Sequence, residues 1–218
     1  AAAEPPPTAA ALPEALPAPA PRLRHIGASY VLPLTQILRC EGAPSLSFEV
    51  PTLPAAWPLR AFLRGDAATS AWARIDLAVD DLAGREPPPL LSCALASQQN
   101  ADRGAGHCRL VIRNSADAEV AYIVAQDGRC AVQRHKQASW DIEGHLEGAE
   151  RWVGVFLQGE RIAQATSFAS DDANPRDVEF MQVDTQADIQ SPESAMLLVC
   201  FLAVLVFRLQ ADGGGCVA

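Results

Sequence analysis

The chain has 218 residues, and its 17 Lys and Arg against 26 Asp and Glu give a formal net charge of −9 at pH 7. An acidic chain repels phosphate-rich surfaces, which excludes nonspecific nucleic-acid binding as its role. The hydrophobic fraction of 49% is sufficient for the core of one sizeable domain. We therefore expect one globular domain without a nucleic-acid partner.

The first segment of the chain is dominated by Pro and Ala. Residues 1–21, AAAEPPPTAAALPEALPAPAP, contain seven prolines and only two charges. Pro removes a backbone donor and is excluded from the interior of helices and sheets. We expect residues 1–27 to be an extended arm, which is either a docking segment or a passive tail.

Short apolar or alternating runs, separated by turn residues, recur from residue 45 onward. Several have a period of two, as from Arg74 to Val79, so that one face of each strand can be dry and the other wet. The eleven candidate strands are SLSFEV (45–50), PLRAFLR (58–64), ARIDLAV (73–79), LLSCALA (90–96), CRLVIR (108–113), VAYIVA (120–125), CAVQR (130–134), WDIEGHL (140–146), WVGVFL (152–157), RIAQATS (161–167) and VEFMQV (178–183). Over residues 28–210 they predict a mainly β fold, an antiparallel closed barrel of about 11–12 strands.

One strongly apolar segment, SAMLLVCFLAVLVFRLQ, follows the strands at residues 194–210. Before it, Ser191, Pro192 and Glu193 supply an N-cap, a Pro at the first helical position and an acid in the first turn. These signals predict a helix over residues 193–209. Its uncharged run reaches about 20 Å, which is short of the roughly 30 Å hydrocarbon core of a bilayer.

A helix that is apolar on every face needs apolar neighbours on every side. A closed barrel provides inward-pointing side chains all round, so we expect this helix along the barrel axis. The main core residues of the helix are expected to be Leu197, Leu198, Phe201, Leu202, Leu205 and Phe207. The Gly-rich residues 211–218 are expected to form a flexible tail.

The order of these elements resembles a known superfamily. The likeness is carried by the hairpin VAYIVAQDGRCAV, the strand WDIEGHL, the hairpin LQGERIAQATS and the closing segment VEFMQVDTQADIQSPESAMLLVCFLAVLV. Over about residues 108–209 the chain resembles the tubby C-terminal-like superfamily, which includes phospholipid scramblases and plant LURP-one-related proteins. The resemblance implies an antiparallel barrel with a hydrophobic C-terminal helix threaded through its lumen.

Membrane phosphoinositide binding in some tubby-like proteins relies on basic residues, which are scattered in this chain. Arg129, Arg134 and Lys136 surround one predicted hairpin and are predicted to form a small ligand-binding patch, with a phospholipid as one candidate ligand. The alternative is that they are solvated charges on a strand face. The patch is the sequence's best candidate for a binding site.

Residues with metal-binding chemistry are too dispersed to predict a site. His107 beside Cys108 would need further ligands from distant strands. Asp171, Asp172 and Asn174 offer too few oxygen ligands for a calcium site. We expect neither a metal nor a cofactor.

No pattern of catalytic residues stands out either. Asp141 and Glu143 share one face of a predicted strand, where they would serve acid–base chemistry or simply form an exposed acidic face. Trp140 and Trp152 are expected to pack over a barrel end. The sequence contains no GxSxG or HExxH motif, and we expect a protein that is not an enzyme.

Six cysteines occur without CxxC spacing, at positions 40, 93, 108, 130, 200 and 216. In a chain with this much apolar material they indicate buried free thiols rather than a disulfide framework. We therefore expect an intracellular protein in a reducing compartment, with a plastid or a mitochondrion as the candidate organelle for a membrane-associated form.

Two functional hypotheses follow. The first is a non-enzymatic tubby-like barrel that binds a protein partner or a membrane component through its loops and its Pro-rich arm. The second is an accessory subunit of a large plastid or mitochondrial membrane complex, anchored by the apolar helix packed among transmembrane helices.

Overall fold

A computed structural model describes residues 23–39, 45–53, 58–65, 72–80, 87–96, 108–126, 129–146, 151–169 and 179–209. Most of the predicted arm and the whole predicted tail lie outside these residues. The described part contains thirteen strands and two helices. The strands are β1 (Ala28–Leu32), β2 (Ser45–Val50), β3 (Thr52–Leu53), β4 (Leu59–Gly65), β5 (Trp72–Val79), β6 (Leu91–Leu95), β7 (Cys108–Asn114), β8 (Glu119–Gln126), β9 (Arg129–Arg134), β10 (Trp140–His145), β11 (Trp152–Leu157), β12 (Glu160–Ala169) and β13 (Glu179–Thr185). The helices are α1 (Leu34–Arg39) and α2 (Pro192–Val206).

All thirteen strands belong to one antiparallel sheet. From β4 to β13 each strand pairs with its neighbour in sequence, as expected for a meander. The sheet then continues from β13 to β1, with Ala28 opposite Thr185 and Leu32 opposite Met181. This pairing brings the N-terminal strand back to the C-terminal one and curls the sheet round.

The sheet closes into a nearly complete barrel at Pro51, which alone separates β2 from β3. β2 pairs with β4 on one side of the seam, and β3 pairs with β1 on the other, with Thr52 opposite Tyr30. The Pro51 carbonyl accepts a hydrogen bond from the Val31 N–H at 3.1 Å. Because Pro has no N–H to continue the ladder, the strand changes partner here. The predicted barrel of about 11–12 strands is confirmed, since β2 and β3 are halves of one extended segment.

Helix α2 lies within the barrel, as predicted. The Ser191 side chain caps the helix, accepting hydrogen bonds from the N–H groups of Glu193 and Ser194 at 3.1 and 3.2 Å. Every residue from 197 to 207 is buried, so the helix is covered on all sides. The buried set includes all six predicted core residues, Leu197, Leu198, Phe201, Leu202, Leu205 and Phe207. Among the described residues, no helix is both long and apolar enough to cross a bilayer.

The helix is shorter at its C-terminal end than the pattern predicts. Phe207 is its C-cap, and Arg208 has a φ of 46°, which turns the chain out of the helix. Beyond this end, α1 packs against α2 and β13, with Leu34 and Ile37 buried. One mouth of the barrel is therefore covered by α1.

A buried polar cluster anchors the other end of α2. The Tyr30 and Ser194 hydroxyl oxygens are 2.5 Å apart, and the Thr185 hydroxyl lies 3.2 Å from Ser194. The Thr185 hydroxyl also donates to the Ala187 carbonyl at 3.0 Å. Burial raises the pKa of Tyr30, while its hydrogen bond with Ser194 lowers it. These bonds join the helix to β1 and β13 and satisfy polar groups that the lumen would otherwise leave unpaired.

Candidate functional site

An open groove lies on the outer surface of β8 and β9. Alternate residues of both strands are buried against the core, and the residues between them face outward. The groove has a volume of about 470 Å³. Its lining residues are Val124, Gln126, Arg129, Ala131 and Gln133. Because α2 occupies the lumen, this groove on the outside, the β8–β9 groove, is the candidate binding site.

The groove has an apolar floor because two small apolar residues lie opposite each other at its centre. Val124 lies opposite Ala131 across the ladder, and Gln126 lies opposite Arg129. The Ala131 methyl group is much shorter than the side chains of Arg129 and Gln133, which flank it on the same face of β9. The result is a low apolar centre bordered by polar side chains, an arrangement common in ligand sites.

A second arginine borders the groove from β7. Arg109 lies opposite Val124, and its guanidinium carbon is 3.9 Å from the centroid of the Tyr122 ring. The Tyr122 hydroxyl donates to Glu119 at 2.5 Å, which lowers the pKa of Glu119 and raises the pKa of Tyr122. This hydrogen bond orients the Tyr122 ring, and the ring in turn holds Arg109 beside the groove.

The charges around the groove are arranged unevenly. The Arg129 side chain is exposed and makes no hydrogen bond or ion pair within the part of the chain that the structure describes. On the far side of the floor, exposed Asp141 of β10 lies opposite Ala131. A ligand in the groove would therefore meet positive charge near Arg109 and Arg129 and negative charge near Asp141.

The structure does not bring the three predicted ligand-binding residues together. Arg129 lies in the groove, whereas Arg134 is at the opposite end of β9, about 16 Å away at the usual rise per residue. Lys136 lies in the turn after β9 with a φ of 57°. Only Arg129 of the three lines the β8–β9 groove, and its binding role stays a prediction.

Arg134 has a different environment, at the mouth of the barrel near the start of α2. Its guanidinium carbon lies 4.1 Å from the centroid of the buried Trp140 ring. Its Nε and Nη2 donate to the Ala138 carbonyl at 3.0 and 2.8 Å, and its Nη1 lies 3.3 Å from Glu193 Oε1. Arg134 therefore joins a turn, a core aromatic ring and the first turn of α2.

The other predicted residues of interest are dispersed. Asp141 and Glu143 both face outward on β10 and are exposed. Trp140 is fully buried, while Trp152 is half-buried on the outer face of β11, with exposed His145 edge-on to its ring at 5.9 Å. No convergent pair of an acid and a base appears among them.

The described cysteines are buried and form no disulfide: Cys93, Cys108, Cys130 and Cys200. Burial raises the pKa of Cys93 to about 12 and raises that of Cys200 well above its usual value. Within the described ranges, no group of three or more His, Cys, Asp and Glu side chains is placed to hold a metal ion. His107, Asp171, Asp172 and Asn174, considered as metal ligands above, lie outside those ranges.

Comparisons with protein-family models, curated proteins and solved structures find no match to this chain. They identify no family, and the tubby-like resemblance stays a prediction. Function therefore has to be inferred from the geometry of the barrel itself.

Proposed function

We propose that this chain is a non-enzymatic binding module of the tubby-like type, and that its β8–β9 groove receives an acidic segment of a protein partner. The observation that carries the proposal is an exposed arginine, Arg129, without an ion-pair partner in the described part of the chain, beside an apolar floor. The lumen is filled by α2, which leaves the outer surface for recognition.

The groove suits a short extended segment that carries both acidic and apolar side chains. Its volume of about 470 Å³ lies within the range of ligand sites. A carboxylate beside Arg129 would form a charge-assisted hydrogen bond, and a small apolar side chain would cover Val124 and Ala131. The net charge of −9 opposes approach to an extended anionic lipid surface more than to a short segment with one or two carboxylates, which favours a protein segment over a phospholipid.

The alternative role is an accessory subunit of a membrane complex, anchored by α2. That role requires the helix to leave a barrel in which residues 197–207 are buried, so the packing favours the binding module. Deleting residues 195–209 separates the two. If α2 is the core, the truncated chain fails to fold; if α2 is an anchor, the remaining barrel stays folded and soluble.

Fluorescence anisotropy with two labelled peptides tests the groove. One peptide alternates Glu with Val, and the other has Gln in place of each Glu. We expect the intact protein to bind the Glu peptide, with affinity that falls as salt rises, and to bind the Gln peptide about tenfold more weakly. Arg129→Ala should abolish this preference. Lys136→Asn is the matched control, because it also removes one positive charge and Asn tolerates positive φ.

Equal affinity of both peptides, or an unchanged preference in Arg129→Ala, would refute the proposed acidic-segment site. Vesicles of phosphatidylcholine with and without phosphatidylserine form the second arm. Binding to the anionic vesicles that needs Arg129, without binding to either peptide, would replace the protein ligand with a phospholipid.

A further inference from the structure

A second cationic feature, Arg161, lies on the outer face of β11 and β12, away from the β8–β9 groove. Val155 is opposite Ala163, but the next residue, Phe156, is opposite Arg161, so Ile162 is an extra residue in β12. Such a bulge changes which face the following side chains use. It places Arg161 beside Phe156 on the outside of the barrel, although simple alternation from Ala163 would direct it into the lumen.

Two aromatic rings enclose the guanidinium group. Its central carbon lies 5.2 Å from the centroid of the Trp152 ring and 5.3 Å from that of Phe156. Both rings lie over Gly154, where an added Cβ would be 2.8 Å from Phe156 Cε2 and 3.1 Å from Trp152 Cζ3. Only glycine leaves room for the rings, and together they reduce the exposure of Arg161 to 7%.

The enclosed cation is incompletely paired. Arg161 Nη1 donates to Gln164 Oε1 at 3.1 Å, while its Nε is buried without a hydrogen-bond partner. No carboxylate of the described residues lies within ion-pair distance of it. Burial lowers the pKa of Arg161, and the exposed Glu143 of β10 raises it from a greater distance. A buried cation without a counter-ion is costly, and a bound anion would offset that cost.

We propose that Arg161, Trp152 and Phe156 form a carboxylate-binding site. The carboxylate pairs with the Nε edge of Arg161 and lies between the two rings, with half-buried Trp152 moving aside to admit it. A planar carboxylate fits the space between flat rings better than a tetrahedral phosphate does. One cation partly offset by Glu143 also suits a monoanion better than a dianion. The inference goes beyond the proposed function, because it concerns different strands and needs no groove ligand.

Titration of the full chain with propionate, followed through the arginine Nε–H resonances in NMR spectra, tests the site. Propionamide is the neutral control of the same shape, and Arg161→Met assigns the resonance by its loss. We expect a saturable shift of the Arg161 signal with propionate, little shift with propionamide, and a smaller one with inorganic phosphate. The shift should persist in Arg129→Ala, which separates this site from the β8–β9 groove.

Thermal stability gives an independent readout. Propionate should raise the Tm of the wild-type protein but not of Arg161→Met, because a ligand that binds only the native site stabilises it. An Arg161 resonance that does not shift with propionate, or that shifts equally with propionamide, would overturn the proposal. If Arg161→Met does not fold, Arg161→Lys assigns the resonance and the wild-type titration decides. Peptides carrying Glu or Gln then distinguish a protein carboxylate from a free acid.

Discussion

The two ends of β9 show how differently the inner and outer surfaces of this barrel use the same side chain. Arg134 lies over Trp140, donates to the Ala138 carbonyl and contacts Glu193, so its charge is used within the fold. Arg129 faces outward beside the groove and has no such partners in the described part of the chain. Because strand side chains alternate, an odd separation of five positions puts the two on opposite surfaces. Their position in the strand, more than their residue type, separates a structural charge from a candidate binding charge.

If the inner surface determines stability, the largest effect should come from α2. Phe201 is 1% exposed at the centre of the barrel, and Phe201→Ala should lower the free energy of unfolding by about 3–5 kcal/mol. Urea denaturation would measure the change. Leu53→Ala, at a residue 62% exposed on β3, is the control and should change stability by less than about 0.5 kcal/mol. Similar losses in both variants would contradict the distinction between the surfaces.

The buried thiols on the inner surface should make the stability of the protein sensitive to alkaline pH. The pKa of Cys93 rises from an ordinary value of 9.0 to about 12, and that of Cys200 rises as well. Above pH 9 the unfolded chain therefore loses these protons while the folded chain keeps them, so stability falls between pH 9 and about 12. One pH unit above 9, the Cys93 thiol alone should lower the free energy of unfolding by about 1.4 kcal/mol, and Cys200 should act in the same direction.

Urea midpoints at about pH 8 and about pH 10 would measure this loss. The double variant Cys93→Ala/Cys200→Ala should show a smaller drop than the wild type. An equal drop in both proteins would assign the alkaline sensitivity to other groups.

A loss of stability smaller than that of Phe201→Ala is expected where polar groups meet the lumen. Ser194→Ala removes a hydroxyl 2.5 Å from the Tyr30 hydroxyl, and should cost about 1–3 kcal/mol because the Tyr30 hydroxyl is left without that partner. Tyr30→Phe combined with Ser194→Ala should recover part of the loss, since both polar groups are then absent. Denaturation of the single and double variants would show whether the two effects are coupled.

The smallest expected change in stability is found by comparing alanine variants of the two arginines. Arg134→Ala removes the hydrogen bonds to the Ala138 carbonyl and the contact with Trp140, and should cost about 1 kcal/mol. Arg129→Ala should leave the unfolding free energy unchanged within about 0.5 kcal/mol. Thermal melts of both variants measure the difference. A stability loss in Arg129→Ala as large as that in Arg134→Ala would mean that Arg129 also serves the fold.

Much of the fold is readable from the sequence because its signals are local. Each of the eleven predicted strands is present with ends within two residues of the prediction, and Ser191 caps α2 as predicted. The hairpin at Gln158 and Gly159 has positive φ at both residues, as its turn sequence suggests. Period-two alternation and capping depend on neighbouring residues, which a single sequence displays.

The elements that the sequence does not reveal depend on distant partners. β1 is five residues long, and its ladder with β13 joins Ser29 to Asp184. β3 has only two residues and pairs with β1 directly after Pro51, where the strand leaves β4. The six residues of α1 carry too short a pattern to predict a helix. Contacts between residues that are far apart in the sequence cannot be predicted from the local periodicity of apolar residues.

The candidate site divides in the same way. The sequence identifies Arg129 as a candidate binding residue because of its charge. The floor of the groove could not be predicted, because it depends on the strand register that places Val124 opposite Ala131. Arg161 is harder to foresee, because the extra residue Ile162 reverses the face that alternation assigns to it. Bulges and register are properties of strand pairs, so they can be identified only once the pairing of the strands in the sheet is known.

The pairing of β1 with β13 has a consequence for how the protein is made. The Ser29 hydroxyl donates to Asp184, which lies 155 positions later in the chain. At about 5–20 residues per second, a ribosome adds the second residue roughly eight to thirty seconds after the first. Throughout that interval the nascent strands cannot close into a barrel, because β13 has not been made. Their apolar faces also lack the helix α2 that covers them in the folded protein. We expect chaperones that shield nascent chains to be needed most by this protein just before its last segment emerges.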